Sequence, residues 1–462
     1  MQTLKTSSTV LESVAQAAIV VRGRVGTTPG LLRGLFGLIC VAAFVCSAAW
    51  RSSIAESRRV VQVIGSDSVP SIIAAEEIGA NLADMDASAA NGFLTTGSAL
   101  QAARDQYEND RKTVVDRLVT AAQNITYGDE ERLPIRAIAE KLQVYVGLIE
   151  TARSKGAPNG IEDLRTASKL MHDQILPNAQ ALDLANFRHL DREYTLSRGA
   201  GAAALGRIWF WGLFLAAALI ATQVFLTVRT RRVFNLPLAV ATFMLVGFMV
   251  WLSASLSGQR ALMRVAKQDC FDSIHALWKA RAVGYDANGD ESLYLLANGR
   301  PEKESFERSF RNKTALLVDA SLTDQLVAQA ATGRVEFHGY LGDELRNITF
   351  QGEKEAALDT LRWFGQYMDI DRQIRALEQN GRHQEAIDLC VGMQRGQSNW
   401  AFDQFDSALG RTLEINQKEF DAAILRALYQ LRNLPFIPPA VALAIAALSW
   451  FGLQPRIGEY RG

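Results

Sequence analysis

The sequence has no surplus of either charge: 49 Lys and Arg stand against 49 Asp and Glu. With no basic excess to neutralise phosphates, nucleic acid is not expected as a partner. Four cysteines and five scattered histidines are present. No CxxC motif and no Cys/His cluster at zinc spacing occurs, so neither a structural metal nor a cofactor is expected. GxxxxGK[ST] and GxGxxG are both missing, which removes the usual nucleotide loops. Alternating β-branched runs are missing too, so a sheet is not expected. The long apolar runs hold almost no polar side chains beyond Gln223 and a few Ser and Thr. An autonomous transporter usually carries ionisable groups at mid-membrane, so that class is disfavoured, although an accessory subunit of one is not.

What is there is apolar length. Hydrophobic residues make up 48% of the chain while charged residues still make up 21%, a mixture that suits a membrane protein with large water-exposed parts. Four runs reach the roughly 20 residues that cross a bilayer: Leu31 to Trp50, Ile208 to Val228, Leu236 to Leu256 and Leu434 to Leu453. The first is too long for a typical signal peptide and is read as retained. Arg229, Arg231 and Arg232 lie between spans two and three, Lys5, Arg22 and Arg24 precede span one, and Arg456 and Arg461 follow span four. The positive-inside rule puts these three places in the cytoplasm of a bacterial inner-membrane protein, with both termini inside. The expected order is a tail (1–30), span (31–50), outer domain (51–207), span (208–228), cytoplasmic loop (229–235), span (236–256), outer domain (257–433), span (434–453) and tail (454–462).

The layout of span, outer domain and span occurs twice, and so does a local pattern. "LADMDASAANGFLTTG" (82–97) is echoed by "AVGYDANGDESLYLLANG" (282–299), with Asp86 aligned on Asp286. A tandem duplication is the simplest reading. Val69, Ile72, Glu76, Gly79, Ala83, Asp86, Ala90 and Phe93 follow a 3,4 spacing, the seam of one long helix. Breaks at Gly97, Gly128 and Gly156–Gly160, and again at Gly299, Gly352 and Gly381, divide each outer domain into four helices. The fold class is therefore all-α: four transmembrane helices and two tandem extracytoplasmic four-helix bundles. Long helices also place Cys270 low and Cys390 high on their domain, too far apart to form a disulfide.

No cytoplasmic piece reaches the roughly 50 residues a catalytic domain needs, so the chain reads as a non-enzyme. Asp86, Asp286 and Glu76 are the ligand or partner candidates, because a carboxylate on a small-residue seam must be paired. The bland reading is a register-fixing residue neutralised by an Arg or Lys from a neighbouring helix. Pro435, Pro438 and Pro439 sit where the last outer helix meets span four, either as a fixed restart or as a mechanical joint. Arg456, Glu459, Tyr460 and Arg461 form a tail that either docks a cytoplasmic partner or snorkels to the membrane surface.

"VPSIIAAEEIGANLADMDASAANGFLTTG" resembles the first helix of the four-helix-bundle sensing domains of bacterial chemoreceptors, and "ALGRTLEINQKEFDAA" is similar to their last. The whole layout, with the "GLQPRIGEYR" tail, resembles a narrower family. Its members are four-span bacterial proteins encoded beside a glutamine/glutamate-binding lipoprotein and a serine/threonine kinase of the protein kinase G type. That resemblance implies a relay from an extracytoplasmic amino-acid-binding protein to a cytoplasmic kinase. A direct small-ligand sensor, with a homodimer left open, and a signal-free accessory subunit remain as alternatives.

Overall fold

The computed structural model describes residues 28–230 and 234–459. The fold is all-α, with no strand among the described residues. The first half contains α1 (Thr28–Gln62), α2 (Val69–Leu94), α3 (Gly97–Gln123), α4 (Asp129–Lys155), α5 (Ile161–Leu170) and α6 (Leu176–Thr230). The second contains α7 (Leu236–Arg264), α8 (Asp272–Leu296), α9 (Lys303–Leu317), α10 (Asp324–Ala331), α11 (Tyr340–Asn347), α12 (Glu353–Gln379), α13 (His383–Val391), α14 (Ser398–Leu431) and α15 (Ile437–Gly458). Three π-helical segments, Val63–Ser68, Met171–Ile175 and Val265–Phe271, join consecutive α-helices without a break.

Four helical stretches are long and apolar enough to cross a membrane: Thr28–Leu94, Ile161–Arg229, Leu236–Leu296 and Ser398–Gly458. The chain divides into two compact units. The apolar unit gathers the chain up to Val61, Tyr194–Ala261 and Arg426 onward. Only 33–39% of each apolar window is buried in the protein, and large side chains such as Phe44, Phe210, Phe243 and Phe451 point outward, as lipid-facing residues do. Sparse polar contacts fix the helices of this unit. The Trp50 indole N–H donates to the Ile208 carbonyl at 3.3 Å, and Asn235 Nδ2 donates to the Gly452 carbonyl at 2.8 Å. Leu434–Phe436 forms a single 3-10 turn before α15. Pro438 and Pro439 then fall in the first turn of α15, where a missing N–H costs nothing. The helix thus restarts where the three prolines lie.

The polar unit comprises Gln62–Glu193 and Leu262–Leu425, so the two long stretches between apolar segments fold as one body. In its first half α2 to α6 surround Tyr107, Ile138, Tyr145, Ile149, Leu164, Met171 and Leu182, all fully or nearly fully buried. Each such side chain contributes on the order of 2 kcal/mol. The second half is built on α8, α9, α12 and α14 around Phe310, Phe364, Tyr367, Phe402 and Phe405, whose rings meet at about 5.4–6.4 Å. It also carries α10, α11 and α13, short helices that the glycine breaks did not announce. One consequence is a correction: Cys390 lies on α13, not on the last outer helix, which begins at Ser398. Cys270 and Cys390 are both free thiols and both buried.

The halves share local devices. Gly97 and Gly299 turn the chain at matching places with φ of 63° and 72°, a region a side chain disfavours. "NITY" (124–127) and "NITF" (347–350) precede α4 and α12. In the first, the Thr126 and Tyr127 amides donate to Glu131 at 2.7 and 2.6 Å. In the second, the Thr349 and Phe350 amides donate to Glu353 at 2.7 and 2.9 Å. Both loops also touch a π segment: Tyr127 through Ser68 at 3.2 Å, and Asn347 through the Gln268 and Asp269 carbonyls at 3.1 and 3.3 Å. The wide turn of a π-helix frees carbonyls, and the asparagine amide satisfies them.

Candidate functional site

The two halves of the polar unit meet along α2 and α8, which pack in parallel. Small residues allow it. A Cβ placed on Gly289 would sit 3.4 Å from both Cα and Cβ of Ala87, so the two backbones cross closely there. Along this line the contacts run in order: Glu76 with His275, Ala87 with Gly289, and Asn91 with Ser292 at 2.5 Å.

Asp86 and Asp286 lie in the middle layer and are joined by one histidine. Asp86 is buried and accepts from Tyr145 Oη at 2.9 Å and Ser168 Oγ at 2.7 Å. His172, in the second π segment, places Nε2 2.6 Å from Asp286 Oδ1 and Nδ1 2.8 Å from the Ser168 carbonyl. Nδ1 is also 3.8 Å from Asp86 Oδ2. Both ring nitrogens therefore face acceptors, which only the imidazolium satisfies. Burial opposes that charge, but the hydrogen bond and charge of Asp286, with Asp86 behind, push the ring up to about 9. Asp286 also takes Lys313 Nζ at 2.9 Å, and Lys313 reaches Asp290 at 2.5 Å. Burial acts to raise the Asp286 carboxyl, yet His172 and Lys313 together hold it below its ordinary value. Asp86 has no such lysine, and burial raises it in spite of His172. The expected Arg or Lys neutralisation is thus found at Asp286 alone; at Asp86 two hydroxyls and His172 take that place. Glu76 likewise meets a histidine, His275, rather than an arginine.

A cavity of about 560 Å³ opens on one side of the seam, lined from both halves. Asp84 and Asp110 face it, bridged by the Gln106 amide at 2.8 and 3.0 Å. Asp110 Oδ2 is buried without a hydrogen-bond partner. Burial raises both carboxyls, and for Asp110 the neighbouring Asp84 adds to it. Opposite them Arg281 makes a bidentate pair with Asp406 at 2.7 and 2.6 Å and stacks over Trp278 at 5.3 Å. Carboxylates, a guanidinium, side-chain amides and aromatic faces thus surround a water-accessible space.

Asp84, Asp110, Arg281, His172 and His275 were not singled out by the sequence. The signal for Asp84 and Arg281 is their place one step off the 3,4 seam, on the face of α2 and α8 that a single-bundle reading assigns to solvent, while Asp110 comes from α3. The proline candidates fall at the restart of α15. Arg456 and Glu459 pair at 2.6 Å at the end of that helix, while Tyr460 and Arg461 lie outside the described residues.

Residues 60–195 match the family model described as an actinobacterial sensor domain. No curated protein and no solved structure matches the chain. The matched segment contains α2 to α5 with the start of α6, and so carries Glu76, Asp84, Asp86, Asp110 and His172. Together with the four membrane-length apolar helices, this match supports a general sensing or signalling role for the protein, as a bacterial membrane sensor.

Proposed function

We propose that the chain is a non-enzymatic transmembrane relay, with its polar unit outside the cytoplasmic membrane and both termini inside. It responds to amino-acid availability, received from an extracytoplasmic amino-acid-binding protein, and reports to a cytoplasmic serine/threonine kinase. The observation that carries the relay is helix continuity. Thr28–Leu94, Ile161–Arg229 and Leu236–Leu296 each run unbroken from an apolar span to the residues of the seam. A shift of α2, of the π segment holding His172, or of α8 has no loop in which to dissipate before the span. The arginines of the short loop and tails support the orientation, and the resemblance of the layout and tail supports the partners.

A second reading has an observation of its own: the acidic cavity suits a small ligand bound directly, without a binding protein. In both readings the inner output passes through short segments, among them the turn carrying Arg456 and Glu459.

Deleting Gln454–Gly462 is expected to leave membrane insertion and extracytoplasmic partner binding intact. It should abolish the kinase response to external amino acid, measured as kinase-dependent substrate phosphorylation in cells. A full response from the truncated protein would make the tail an anchor. A truncated and a full-length protein that both leave phosphorylation independent of amino acid would instead favour a signal-free accessory subunit.

A further inference from the structure

We propose that Glu76, Asp183 and His275 form a binding site for a first-row divalent cation, Zn²⁺ or Mn²⁺, that joins the two halves of the polar unit. Glu76 comes from α2 and Asp183 from α6, both in the first half; His275 comes from α8 in the second. One ligand atom from each lies within 4.8 Å of the others. Ligands around one such ion stand roughly 3–3.5 Å apart, given bonds of about 2.0–2.2 Å, so Asp183 must close slightly on the centre while Glu76 and His275, now in direct contact, move slightly apart.

The cluster lacks the hydrogen bonds that buried polar atoms require. Both carboxylate oxygens of Glu76, Asp183 Oδ1 and His275 Nδ1 are buried and make no well-aligned hydrogen bond, even though Glu76 Oε1 and His275 Nδ1 touch. Glu76 is only 6% exposed. Four such atoms converging from three helices is an arrangement that a cation at their centre resolves. Lys279 does not occupy that centre: its ammonium lies 3.6 Å from the other Asp183 oxygen, Oδ2. Asp183 Oδ1 stays 3.7 Å from His275 Nδ1, too far for a hydrogen bond.

The imidazole is prepared for ligation. It stacks on Phe187 at 4.6 Å and 15° and on Phe271 at 5.9 Å and 19°, which fixes its plane. The neutral imidazole is the form that binds metal. Two carboxylates with one imidazole select zinc- or manganese-like ions over calcium, which takes six or more oxygens. A cavity of about 370 Å³ borders the cluster, lined by Glu76, Asp183, Lys279, Asp286 and Tyr340. It leaves an open coordination position for water or a ligand group.

The test uses full-length protein in detergent, stripped with a chelator and titrated with Zn²⁺ and separately with Mn²⁺ by calorimetry and thermal unfolding. One equivalent of at least one ion should bind per chain and raise the melting temperature. Glu76→Gln keeps the shape and deletes the charge; His275→Ala removes the nitrogen. Each should weaken binding on the order of 100-fold or more, since each deletes a ligand rather than a supporting group. Glu76→Gln should still melt cooperatively, which separates lost binding from lost folding. Failure of the parent protein to bind either ion stoichiometrically would overturn the proposal. So would parental affinity in either variant, which would leave Glu76 and His275 sharing a proton instead.

Discussion

Arg281→Met is expected to destabilise the polar unit by on the order of 3 kcal/mol near pH 7. Removing one partner of a buried ion pair strands the other charge, which typically costs about 3–5 kcal/mol. The partial exposure of Arg281 (24%) and Asp406 (18%) trims that figure through solvent screening. Arg281 is the one basic side chain among the described residues lining the 560 Å³ cavity, against Asp84, Asp110, Asp403 and Asp406. Its loss leaves four carboxyls facing one another. The deficit has a predicted pH dependence. The Asp84 and Asp110 carboxyls are raised in the folded protein, so the penalty of their ionisation is absent at low pH and grows as pH rises through their folded values. Thermal unfolding should therefore show the variant roughly 5–10 °C below the parent at pH 7, with the gap narrowing toward pH 5. Arg281→Lys keeps the charge but loses the bidentate geometry and should fall between the two. Equal stability of parent and Arg281→Met across this range would remove the cavity's electrostatic account.

His172→Gln should flatten the alkaline side of the stability profile. The ring titrates at about 9 when folded and near 6.5 when unfolded. A raised value means that its contribution is fully present below about pH 6.5 and is lost as pH rises through about 9. A shift of that size corresponds to about 3 kcal/mol; with 29% of the side chain exposed, screening reduces it to on the order of 2. Asp286, held below its ordinary value, contributes in the opposite direction: its share is present above the unfolded carboxyl value and lost as pH falls. The middle layer thus stabilises the protein most between roughly pH 4 and 6.5, and progressively less from there to about pH 9. The parent should exceed His172→Gln in melting temperature at pH 6–7 and converge on it near pH 10. A constant difference over that range would mean that the histidine acts through packing rather than charge.

These residues show what the sequence reveals and what it hides. Hydropathy and the 3,4 spacing announce the helices, because both are local periodic properties. The spacing from Val69 to Phe93 marks one buried face, and Val69, Ile72, Glu76, Ala83, Asp86 and Ala90 are indeed buried. Yet Ala80, Asp84, Met85, Ala87, Ser88 and Ala89 are buried as well. The helix has its own bundle on one side and the other half on the other. That second face is written in alanine, serine and glycine, residues with too little side chain to register as apolar. The histidines were hidden for another reason: His172 and His275 find their partners across the halves, and no local spacing encodes that. The repeated NIT(Y/F) loop escaped because the second half holds α10 and α11 between α9 and the motif. The offset therefore changes partway along each half, and a fixed register aligns Asp86 with Asp286 but not Asn124 with Asn347.

The central claim is that the two halves form one sensing body across a parallel α2–α8 seam. The double variant Ala87→Cys/Gly289→Cys tests it directly. The Cβ of Ala87 and a Cβ built on Gly289 stand 3.4 Å apart, close to the roughly 3.5–4.5 Å of a disulfide. Non-reducing peptide mapping of the monomer after mild oxidation should find the two introduced cysteines of one chain in a single crosslinked fragment. Free thiols at both positions in folded protein, or pairing only between separate chains, would contradict the account.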